Sequence, residues 1–123
     1  MDLKMIRKEF AICKVKEFPK DLLQHKYVFT GRSDDENSII CETDLVPDDC
    51  ITIDSGWYCF RIAEDASFEK YGMIAYLANI IAAQKTSTLV VGTYDTDYIF
   101  IKKEKMNVVK EALIADGCRF LDE

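Results

Sequence analysis

Histidine is all but missing from this sequence of 123 residues: His25 is the single one, and it stands without a neighbouring ligand or nucleophile, which removes the usual acid-base and metal-binding side chain. Paired cysteine motifs are missing as well. Cys13, Cys41, Cys50, Cys59 and Cys118 form no C-x-x-C and are odd in number, so neither a zinc site nor a complete disulfide framework follows. Cys13, Cys41 and Cys59 lie inside apolar runs, where cysteine acts as a small hydrophobe, and free thiols suit a reducing cytoplasm. No leader is apparent, because Met1 to Glu9 alternates charge too often for the apolar core of a signal peptide. The longest uncharged run, Tyr71 to Gln84, includes Asn79 and Gln84 and falls short of the ~20 apolar residues of a membrane helix. A basic stripe is absent too. With a pI near 4.8 and basic clusters no longer than Lys102-Lys103-Lys105, nucleic acid is an unsuitable partner. There is no phosphate loop, metal set or activated nucleophile, and Asp95 with Asp97 has no tuned partner, so neither catalysis nor a cofactor is implied.

What is present is a chain that is 49% hydrophobic, enough to bury one ordinary core or two small ones. The net charge of -6 is concentrated between residues 34 and 54, where Asp34, Asp35, Glu36, Glu42, Asp44, Asp48, Asp49 and Asp54 have no basic counterpart. Such residues suit solvated loops and turns.

The second half has the clearer periodicity. Trp57 to Ile62, rich in aromatic and β-branched residues after a Ser55-Gly56 breaker, predicts a strand. Beyond Glu64-Asp65-Ala66-Ser67, Met73, Leu77, Ile80, Ile81 and Gln84 recur at helical spacing, and four alanines add propensity. Thr88 to Thr93 and Tyr98 to Ile101 predict a hairpin with Tyr94 to Asp97 at its tip. A second helix from Glu104 sets Met106, Val109 and Leu113 on one face, Gly117 caps it, and Cys118 to Leu121 closes as a strand. The order strand, helix, strand, strand, helix, strand is the split βαβ arrangement of α+β, ferredoxin-like folds.

The first half predicts strands at Phe10 to Val15, Tyr27 to Gly31 and Ser38 to Cys41, a short helix at Pro19 to Gln24 and an extended piece at Ile51 to Ile53. It reads as a trimmed version of the same unit with few helices. The boundary falls near Asp54, giving units at 1-54 and 55-123.

Gly92-Thr93-Tyr94-Asp95-Thr96-Asp97-Tyr98-Ile99-Phe100-Ile101 resembles the S-T-Y-x-T-D-F/Y-I-L-V signature of the CASTOR-like ACT domain family. Ser33 to Cys41 is similar to that family's T-x-x-E-x-S-I-V-C stretch. Gly92 stands where the family has a small hydroxyl residue, and Phe100 where it has an aliphatic one. The resemblance implies tandem ACT-like units, a ligand-binding rather than catalytic role, and a pocket where two complete modules meet. One complete module per chain then implies a homodimer with two equivalent pockets. Carried over by position, the ligand-binding set is Gly72, Ser87, Thr88, Thr93, Tyr94 and Asp97. Gly72 would bring backbone N-H groups to a ligand carboxylate, Ser87 and Thr88 add hydroxyls, and Asp97 offers a carboxylate to an ammonium or guanidinium.

The expected function is therefore cytoplasmic, non-enzymatic sensing of a small molecule, in particular an amino acid. The competing reading is a ligand-independent protein-interaction module, a role that ferredoxin-like folds also serve.

Overall fold

The computed structural model describes residues 1-63 and 71-121. The connection expected through Glu64-Asp65-Ala66-Ser67 lies outside them. Along the chain come β1 (Asp2–Val15), β2 (Phe29–Arg32), β3 (Asn37–Glu42), β4 (Thr52–Ile62), α1 (Met73–Ala83), β5 (Thr88–Gly92), β6 (Asp97–Lys102), α2 (Met106–Ala115) and β7 (Arg119–Leu121). The architecture is α+β: a mainly antiparallel sheet with two helices, as in ferredoxin-like folds. The chain separates into two compact units, Met1–Arg7 with Tyr58–Glu123, and Lys8–Trp57.

In the first of these units the strands follow the order β7-β1-β4-β6-β5. The N-terminal residues thus enter a sheet that the sequence pattern assigned to the second half alone. Asp2, Leu3 and Lys4 pair in parallel with Arg119, Phe120 and Leu121, and the Ala63 N-H donates to the Asp2 carbonyl at 2.9 Å. The cause is the alternation of Asp2 and Lys4 with Leu3 and Met5, which puts one face inward. Leu3 is fully buried. Its core partners include Phe60, Ile62, Leu77, Ile81, Ile99, Ile101, Val109 and Leu113.

The helices form where expected. Leu77 and Ile81 are one turn apart and buried on α1, as are Met106, Val109 and Leu113 on α2, consistent with a helical repeat presenting one face to a sheet. At the end of α2 the Cys118 N-H reaches the Leu113 carbonyl and the Gly117 N-H reaches that of Ile114, both at 3.0 Å. This is a Schellman cap, and it needs the left-handed conformation that Gly117 adopts at φ 102°.

In the second unit the order is β2-β3-β1-β4. Its core is Cys13, Val15, Leu22, Ile39 and Cys41, with Phe18, Val28, Leu45, Val46 and Cys50 packed against it. The short helix expected from Pro19 is one 3-10 turn, Leu22–Gln24. Leu22 is buried there while Leu23 is largely exposed, so a single apolar anchor holds the segment. The break expected at Ser55-Gly56 does not occur either. Gly56 takes φ 83° inside β4, and a glycine in that conformation bends a strand without ending it. The Asp54 boundary accordingly falls within a continuous strand.

Candidate functional site

The β5-β6 hairpin turns tightly through Thr93 to Thr96. The Thr93 N-H donates to the Thr96 carbonyl at 2.8 Å, and the Thr93 hydroxyl reaches the same oxygen at 2.9 Å. Thr96 in turn donates its hydroxyl to the Ile62 carbonyl at 2.6 Å, tying the turn to the end of β4. Side chain and backbone thus define the loop between them, as Thr and Asp commonly do in turns. Asp97 opens β6 opposite Gly92. A Cβ at Gly92 would lie 3.0 Å from Asp97 Oδ1, so the missing side chain is what gives the carboxylate its room. Asp97 is half-buried and has no side-chain partner among the described residues. Tyr94 at the tip is wholly exposed, as is most of Tyr71.

Gly72 precedes α1 at φ 78°, with no side-chain cap. Having no side chain, Gly72 itself satisfies none of the first N-H groups of that helix through a cap bond. Its position follows from the other end of α1: the Gln84 carbonyl accepts from Lys105 Nζ at 3.3 Å, just past the end of β6. The start of α1 consequently lies toward the hairpin. Tyr76, in its first turn, donates to Asp116 Oδ2 at 2.5 Å and lies 3.5 Å from Cys118 Sγ. The hydrogen bond to Asp116, then that to Cys118, hold the Tyr76 phenol well above its ordinary pKa.

Gly72, Thr93, Tyr94 and Asp97 thus share one end of their unit. Ser87 and Thr88 lie at the other end of β5, about 13 Å from Gly92 at the usual strand rise. Thr88 donates its hydroxyl to the Phe100 carbonyl at 2.8 Å, while Ser87 is exposed. Thr96, Tyr76 and Asp116 are neighbours of the site that sequence reasoning did not single out. Thr96 had a signal, since it stands within the Thr93 to Asp97 motif. Tyr76 and Asp116 are far apart in sequence and meet only through packing of α1 on α2.

Elsewhere, the second unit contains two open grooves, of about 360 and 240 Å³. Among the described residues no group of three or more His, Cys, Asp or Glu is placed to hold a metal, and no helix is long and apolar enough to cross a membrane.

The strand and helix order of this unit, with its β5-β6 hairpin, is that of a split βαβ, ferredoxin-like α+β fold. The match to the ACT domain model covers residues 52-115, more than half of the sequence, and the chain belongs to the ACT domain family. Three solved structures are similar in fold. A protein from Agobacterium tumefaciens has a TM-score of 0.88 at 24% identity, covering 98% of this chain and 91% of its own. A Vibrio cholerae protein of unknown function, described as a possible transport protein, has 0.74 at 21%, covering 93% and 88%. The ligand-free regulatory subunit of aspartate kinase from Thermus thermophilus has 0.64 at 9%, covering 94% and 97%. No curated protein matches the chain at significance.

Proposed function

We propose that this chain is a non-enzymatic, cytoplasmic amino-acid sensor of the CASTOR-like ACT type, acting as a homodimer whose two ligand sites each take residues from both chains. The observation that carries the reading is that Asp97, without a side-chain partner among the described residues, and the start of α1 at Gly72, which has no side-chain cap bond among them, lie at the same end of their unit. Those two features suit the two ends of a zwitterion: the carboxylate of Asp97 takes an ammonium or guanidinium, and the helix N-H groups take a carboxylate. The aspartate kinase regulatory subunit, a protein of the same fold, supports a regulatory role.

The split of the expected contacts along β5 supports the dimer. β5 is the last strand of its sheet, and Val90 at its centre is 42% exposed, leaving a short apolar edge with backbone groups open to pairing. Two such edges set antiparallel about a two-fold axis near Val90 place Thr88 of one chain opposite Gly92 of the other. Ser87 and Thr88 then face the partner's hairpin end and close a site that one chain leaves open.

Thermal unfolding of wild type and Asp97→Ala with each of the twenty amino acids tests site and ligand class together. Ligand at 100 times its dissociation constant adds about 2.7 kcal/mol of stability, so at least one amino acid raises the wild-type midpoint and fails to raise that of Asp97→Ala. A well-folded wild type that responds to none, or a variant that responds equally, contradicts the reading.

A further inference from the structure

Packing holds the two ends of α1 unequally. Leu77 and Ile81 are buried, whereas Tyr71 and Gly72 are exposed, and Met73, Ile74 and Tyr76 are only partly covered at the edge of the same core. A first turn with few buried contacts is the part of a helix that opens most readily. The Gly72 end is also the end that the proposed ligand site uses. Met73, Ile74 and Ala75 carry no side-chain donor, so Tyr76 is the one residue of that turn whose side chain can donate a bond to tether it.

The tether is built on α2. The Tyr76 N-H donates to the Gly72 carbonyl at 2.9 Å, closing the first turn, and the Tyr76 hydroxyl donates to Asp116 Oδ2 at 2.5 Å with Cys118 Sγ at 3.5 Å. Asp116 is itself held by the end of its helix: its N-H reaches the Ala112 and Leu113 carbonyls, both at 3.2 Å, and the left-handed Gly117 follows. The stability of α2 does not call for an acid there, because the carbonyl end of a helix carries partial negative charge and favours cations. The carboxylate serves the contact with Tyr76. Resting on the amino-acid reading above, we infer that Tyr76 is a positioning residue of the ligand site, whose bond to Asp116 fixes the first turn of α1 in place before a ligand carboxylate arrives. A site that is already ordered loses less conformational freedom on binding.

Calorimetric titration of wild type, Tyr76→Phe, Asp116→Ala and Asp116→Asn with each of the twenty amino acids, together with amide hydrogen exchange of the unliganded chains, tests it. Tyr76→Phe keeps the ring and its packing, and Asp116→Ala removes a charge from the wrong end of a helix, so unfolding midpoints should stay near that of wild type. Both variants should bind about tenfold more weakly the amino acid that wild type binds. Their Tyr76 amide should exchange about tenfold faster, while that of Ile81 keeps its rate. Asp116→Asn retains an acceptor and should restore both properties. Tyr76→Phe combined with Asp116→Ala should bind no more weakly than either alone, as for two residues acting through one bond. Wild-type affinity or wild-type exchange at Tyr76 in the two single variants overturns the inference and leaves the amino-acid reading standing. Failure of the wild type to bind any amino acid overturns both.

Discussion

At the scale of single residues, conformation and burial make different demands. Gly117 sits at φ 102° and a Cβ there meets nothing within 4 Å, so Gly117→Ala isolates the backbone cost from packing. A side chain in that region costs about 1 to 2 kcal/mol, and chemical denaturation should show a loss of that size with the slope unchanged. Cys41 is fully buried, and its thiol is pushed from the ordinary 9.0 up to about 11, by burial first and then by Cys13 and Glu42. The folded chain therefore holds the proton more tightly than the unfolded one. Stability from this group is intact below pH 9 and is lost as pH rises toward 11. The unfolding free energy of wild type should fall across that interval, and Cys41→Ala should remove part of the slope. A slope unchanged in the variant would assign the effect to other groups.

At the scale of elements, most of the second half was legible because its apolar positions follow a clean period. Met106, Val109 and Leu113 specify α2, and Gly117 marks its end. What periodicity could not show was pairing. The alternation of Leu3 and Met5 is short and interrupted by charge, so nothing local says that β1 lies between β7 and β4. Gly56 reads as a breaker in sequence, yet its positive φ is tolerated within β4 and the strand continues. The proposed site was legible only as a motif: Thr93 to Asp97 and Gly72 stand out, whereas the separation of Thr88 from them follows from the length of β5. That separation gives the edge strand its predicted role. Val90→Lys puts a charge at the centre of an antiparallel two-fold pairing, where it meets its own copy, and like charges opposite one another destabilise such pairs. Sedimentation should show a dimer for wild type and a monomer for the variant, with helix and strand content preserved. An unchanged mass would place any self-association elsewhere.

At the scale of the whole molecule, one hairpin design occurs in each unit, with Gly92 and Asp97 in one and Arg32 and Asn37 in the other. The proposed amino-acid site belongs to the first of these and takes Gly72, Thr93 and Asp97 from one chain and Ser87 and Thr88 from its partner. Isothermal titration of mixed variants tests it most directly. Asp97→Ala and the double variant Ser87→Ala with Thr88→Ala each damage every site in their own homodimers. Random exchange of subunits between them produces mixed dimers in which one site is doubly damaged and the other intact, so about one quarter of all sites should recover wild-type affinity. Recovery of that fraction on mixing is the predicted result, and no recovery from fully exchanged dimers would contradict a site shared between chains.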